Sequence, residues 1–88
     1  MTDKHPHIYT CLGKVINERR KKLGMSQEEL AEKSGIDRAF ISNVERGKRS
    51  PSFRSVAHLA GGLKMRYSRL VHKCEECERD QNGESAPE

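Results

Sequence analysis

The sequence predicts an all-α fold of five short helices. Three observations carry this. Apolar residues recur at helical spacing in five successive segments. Serine or aspartate stands ahead of three of these segments, and glycine closes several. No segment alternates apolar and polar residues as a half-buried strand would. Eighty-eight residues suffice for one domain with a small core.

Residues 1–10 are polar, include Pro6 and are read as a flexible arm. The first helix is expected over residues 12–23, with Leu12, Val15, Ile16, Arg19 and Leu23 on one face and Gly24 as cap. Ser26 and Glu29 form a capping box, so a second helix is expected over residues 27–33, burying Leu30 and Ala31 and stopping at Ser34-Gly35. Asp37 is a suitable N-cap for a third helix over residues 38–46, with Ile41 and Val44 inward and Gly47 at its end. Ser52 caps a fourth, whose inward stripe is Phe53, Val56, Leu59, Ala60 and Leu63. Gly61 and Gly62 lie near its end, and at about 1 kcal/mol each against alanine they predict a loose last turn. A fifth helix is expected over residues 67–77. The body is thus placed at residues 11–77, and residues 78–88 are read as an acidic, disordered tail.

Charge is unevenly distributed. Residues 1–73 carry +9 and residues 74–88 carry −5, which together give the net +4. A basic body implies a polyanionic partner. The acidic tail is a candidate surface for a basic protein partner. No apolar run approaches the roughly 20 residues of a membrane span, and residues 1–6 show no secretory h-region. A cytoplasmic address is therefore expected, with the odd set Cys11, Cys74 and Cys77 as reduced thiols.

The most informative stretch is residues 25–47, MSQEELAEKSGIDRAFISNVERG. Two short helices meet at a tight turn containing Gly35, with small Ala31 at the crossing and Ile36 filling the turn. In this helix-turn-helix geometry the second helix enters the DNA major groove and the first crosses the backbone. Arg20, Ser26-Gln27, Leu30-Ala31, Gly35, Ile41-Ser42, Val44-Glu45 and Gly47 together resemble the Cro/repressor-type, or Xre, helix-turn-helix family. The resemblance spans residues 12–71 and implies a five-helix, lambda-repressor-like domain that regulates transcription. DRAFISNVERGKRSP is similar to the restriction-modification controllers of that family, where Asp-Arg opens the recognition helix.

The resemblance also implies roles. Arg38, Ala39, Ser42 and Asn43 are the expected base contacts. Arginine suits guanine, asparagine suits adenine, and an alanine methyl suits the thymine methyl. Gln27, Phe40, Arg46, Lys48 and Arg49 are the expected phosphate contacts, which position without specifying. For Gln27 the family alternative is to brace the third helix, and for Phe40 the alternative is core filling. Arg20 and Glu45 are expected to form a structural ion pair between the first and third helices. Two residues depart from the family pattern. Lys64 stands where a left-handed cap favours glycine, so either the fourth helix ends early or Lys64 is strained. Asn17 stands where many members carry a basic residue.

Tyr67, Leu70, Val71 and Cys74 form a stripe on the fifth helix, read as a homodimer interface; Cys77 continues it. Cys74-x-x-Cys77 has the spacing of half a zinc site, but no second pair completes four ligands, so no metal or cofactor is expected. Surrounding acids disfavour a reactive thiol pair. Packing is the preferred reading, with metal binding or a disulfide at Cys74 and Cys77 left open. No enzyme is expected, because Ser42 and Ser52 lack a partnered base and no glycine-rich phosphate loop is present. A protein-binding adaptor is the remaining alternative; DNA binding that weakens steeply with salt separates the two.

Overall fold

The computed structural model describes residues 2–82, and helices are the only regular elements among them. In chain order they are α1 (Ile8–Lys22), α2 (Gln27–Ser34), α3 (Arg38–Glu45), α4 (Phe53–Gly62) and α5 (Tyr67–Asn82). Helix α1 packs on α5 and on α3, α2 packs on α3 and α4, and α4 closes against α5. The core they share is led by Ile16, Leu30, Ile41, Leu59, Leu63 and Leu70, all fully buried. Each such side chain contributes roughly 2 kcal/mol of transfer free energy. None of the helices is long and apolar enough to cross a membrane.

Both ends of the body reach further than the sequence predicts. Helix α1 starts at Ile8, inside the expected arm, with His7 as its N-cap and Pro6 outside it. The extra turn carries Cys11 into the core. Helix α5 continues five residues past Cys77, and its buried Glu78 accepts a 2.9 Å hydrogen bond from His5 Nδ1. Residues expected as free arm and free tail are therefore tied to each other. Residues 83–88, the rest of the expected tail, lie outside the described residues.

The caps behave unevenly. Ser26 Oγ accepts from Glu29 N at 3.0 Å and Glu29 Oε1 accepts from Ser26 N at 3.0 Å, so the capping box forms. Ser52 Oγ accepts from Ser55 N at 3.1 Å. Asp37 makes no side-chain cap bond; it supplies only the extended backbone that starts α3. Phe53 also departs from expectation. It is 71% exposed, because it begins α4 beyond the edge of the core, and it stands edge-on to Tyr67 at 5.6 Å.

Helix α4 runs through both glycines, which differ in their surroundings. A Cβ at Gly62 would stand 2.9 Å from Leu30 Cδ1 and 3.2 Å from Ser34 N, so this glycine lets α4 approach α2 closely. A Cβ at Gly61 would meet nothing within 4 Å. Gly61→Ala is expected to stabilise the fold by about 1 kcal/mol, and Gly62→Ala to destabilise it by about 1–2 kcal/mol. Urea denaturation of the two variants checks the opposite signs. Helix α4 ends at Gly62, and Lys64, two residues on, still adopts the left-handed φ of 57°, so the strain falls on Lys64 as well. Arg19 secures this end, donating from Nε to Leu63 O at 3.0 Å and from Nη2 to Lys64 O at 3.2 Å.

The expectation of three reduced thiols holds for Cys74 and is corrected for Cys11 and Cys77. Cys74 is a buried free thiol in the core, and Cys11 is bonded to Cys77 in a disulfide with Cα atoms 5.7 Å apart. The pairing joins opposite ends of the chain, not the Cys-x-x-Cys neighbours, because α1 and α5 pack side by side. No cluster of metal-ligating side chains occurs among the described residues.

Candidate nucleic-acid interface

Helix α3 has only eight residues, too few to be stable in isolation, so its position is set by what holds it. Two contacts with α1 do most of this. Gly13 lies against the last turn of α3: a Cβ there would strike Val44 O and stand 2.6 Å from Glu45 O. Only a residue without a side chain permits this approach. Beside it, Glu45 is the centre of a polar network. Arg20 Nε donates to Glu45 Oε2 at 2.7 Å and Nη2 donates to Oε1 at 2.9 Å, a two-bond fork. Asn17 Nδ2 donates to Oε1 at 2.8 Å and Gln27 Nε2 at 3.1 Å. Arg20 Nη1 adds a 2.8 Å bond to Met25 O, tying in the α1–α2 turn.

The side chains of Arg20 and Glu45 are only 11% and 4% exposed. Burial pushes the Glu45 carboxyl up, but the hydrogen bonds from Arg20, Asn17 and Gln27, with the Arg20 charge, outweigh it and hold the group below its ordinary value. The same bond to Glu45 raises Arg20, against a smaller opposing effect of burial. Glu45 is thus ionised, paired and turned away from the outer face of α3. The expected ion pair is present, and Gln27 braces it.

The outer face is built as follows. Arg38 and Ala39 are exposed at the N-terminal end of α3, with Ser42 and Asn43 half-buried one turn on. Arg46 Nη2 donates to Asn43 Oδ1 at 2.7 Å, which orients the amide. Asn43 keeps its two N–H donors and one oxygen lone pair, the set a bidentate adenine contact uses. Gly47, at φ 73°, turns the chain away after α3, and Lys48 N donates to Asn43 O at 2.9 Å. Arg46, Lys48 and Arg49 then extend the exposed edge as three cations. Phe40 does not join them fully: it is half-buried and packs against the core. The groove between α1 and α5 differs in charge, mixing lysines with Glu18, Glu76 and Asp80.

The expected pairing stripe on α5 divides. Leu70 and Cys74 belong to this chain's own core and are unavailable to a partner. Tyr67 and Val71 remain 50% and 46% exposed, and Phe53 adjoins Tyr67. Sequence reasoning missed Gly13, Asn17 and Arg19 as positioning residues. Asn17 carried a signal, being one helical turn before Arg20 and therefore on its face.

A helix-turn-helix family model matches residues 16–68, which includes α2, α3 and the network around Glu45. An HTH-type transcriptional regulator of Methanothermobacter thermautotrophicus is 45% identical over 49 residues, covering 56% of this chain and 71% of that protein. The restriction-modification controller protein C.AhdI from Aeromonas hydrophila superposes with TM-score 0.68 at 37% identity, covering 70% of this chain and 94% of its own. The wild-type controller C.Esp1396I superposes with TM-score 0.72 at 30% identity, covering 78% and 88%. With five helices, a helix-turn-helix at α2–α3 and the glutamate-centred brace, this chain belongs to the Xre-type helix-turn-helix family of DNA-binding transcriptional regulators.

Proposed function

We propose that this chain is a cytoplasmic, sequence-specific regulator of the restriction-modification controller type. It binds a palindromic operator as a homodimer, with α3 of each protomer in a major groove. The observation that carries this reading is the sorting of charge on α3. Its one carboxylate, Glu45, is buried and neutralised, while Arg38, Ala39, Ser42 and Asn43 form the face left for bases. Arg46, Lys48 and Arg49 flank that face as the phosphate clamp. Gln27 acts through Glu45, and its remaining amide atoms are the phosphate contact at the start of α2. The Tyr67, Val71 and Phe53 patch pairs the protomers, which sets two recognition helices about 34–36 Å apart.

Selection of bound duplexes from random DNA tests the reading. The expected product is an inverted repeat with half-sites about 10 base pairs apart. Three phosphate-binding cations per protomer give a slope of log affinity on log salt of about −5 for the dimer. Sedimentation is expected to show a dimer at tens of micromolar that Tyr67→Glu converts to monomer. No enrichment, or binding indifferent to salt, would count against DNA recognition; a wild-type monomer would count against the pairing face.

A further inference from the structure

The two sulfurs of the Cys11–Cys77 disulfide stand in different surroundings. Cys11 is 1% exposed, inside the core. Cys77 is half-buried and lines an open groove of about 450 Å³ between α1 and α5, with Lys14, Lys22, Lys73 and Asp80. One sulfur is therefore reachable and the other is not. Cys74, one turn before Cys77, is a poor competitor for exchange. Its Sγ donates to Ile8 O at 3.5 Å, and burial, with Glu78 and Glu75, pushes the thiol up to about 11.

The bond joins the two helices that matter for DNA binding. On α1, Cys11 lies between Thr10, whose Cα is 3.4 Å from a Cβ position on Gly47, and Gly13, which seats the end of α3. On α5, the same helix that carries Cys77 carries Tyr67 and Val71 of the pairing face.

We propose that the Cys11–Cys77 bond is a reducible latch, opened by a dithiol reductant at Cys77 Sγ, that fixes α5 on α1 and so raises affinity for DNA. A thiolate of the dithiol attacks Cys77 Sγ, forming a mixed disulfide and expelling Cys11 as a thiolate, which takes up a proton. The second thiol of the reductant then attacks its own bridging sulfur, expels Cys77 and leaves as a cyclic disulfide. Two electrons pass to the protein, and a small-molecule disulfide returns it to the latched state by the reverse exchange. The link to DNA rests on the proposed function; the latch itself does not.

The test uses the full chain equilibrated with dithiothreitol or with oxidised glutathione. Alkylation after denaturation is expected to label three cysteines in the first case and Cys74 alone in the second. A closed loop of 66 residues predicts that reduction lowers Tm on the order of 15 °C. Affinity for a selected operator duplex is expected to fall about tenfold and to recover on reoxidation. Cys77→Ser is expected to behave as the reduced protein in both buffers, and Cys74→Ser to keep the full response. Three labelled thiols in oxidised glutathione would overturn the latch, as would equal affinity of latched and reduced protein for the duplex. Loss of binding in both states would instead contradict the DNA reading, while the thermal shift still reports the latch.

Discussion

Arg20→Ala is expected to cost about 3 kcal/mol of folding stability, because it leaves a carboxylate buried without its counter-ion. Glu45 is 4% exposed and cannot regain water without unseating α3. Asn17 and Gln27 still donate to it, which keeps the loss near the lower end of the range for a broken buried pair. For a domain of this size the loss lowers Tm by roughly 12 °C or more. Arg20→Lys restores the charge but not the two-bond fork, so it recovers only part. The pair also sets an acid limit. The Glu45 carboxyl is held below its ordinary value in the folded state. Its stabilisation is therefore fully present above the unfolded value, near pH 4.3, and is lost as pH falls through the folded value. Thermal melts between pH 7 and pH 3 are expected to show that loss in the wild type and a smaller one in Arg20→Ala.

Gly13→Ala is expected to destabilise the protein by about 2–3 kcal/mol and to weaken DNA binding beyond what unfolding explains. On helix propensity alone the change is favourable by about 1 kcal/mol. Packing reverses the sign, because the new methyl group meets the backbone carbonyls of Val44 and Glu45, which move only if α3 moves. Gly61→Ala is the internal control: the same chemistry on open surface, with the opposite sign. Denaturant midpoints and DNA titrations at a temperature where Gly13→Ala remains folded separate the two effects.

These residues also show where the sequence was legible. The capping box at Ser26 and the helical stripes are local patterns, so α2 and the middle of α1, α4 and α5 could be read directly. The Arg20–Glu45 pair was accessible because family resemblance supplied the long-range partner. Gly13 was not, because a glycine within a helix reads as a local weakness until the carbonyls of another helix are seen beside it. Phe53 continues the α4 stripe in spacing, yet the stripe outruns the core, an outcome that depends on where α5 ends up. The Cys11–Cys77 bond requires α1 and α5 to pack side by side, which no local pattern in the sequence shows. Leu70 and Cys74 have the right spacing for a partner surface, but a core this small consumes them.

The most direct test of DNA reading by α3 compares Arg38→Ala with Lys48→Ala on a selected operator and on random duplex. Arg38→Ala is expected to cost about 1–3 kcal/mol on the operator, little on random DNA, and to relax one base position. Lys48→Ala is expected to weaken both duplexes alike and to flatten the salt slope by about one per altered contact. Equal losses on both duplexes from both variants would contradict the assignment of Arg38 and its neighbours as the residues that read sequence.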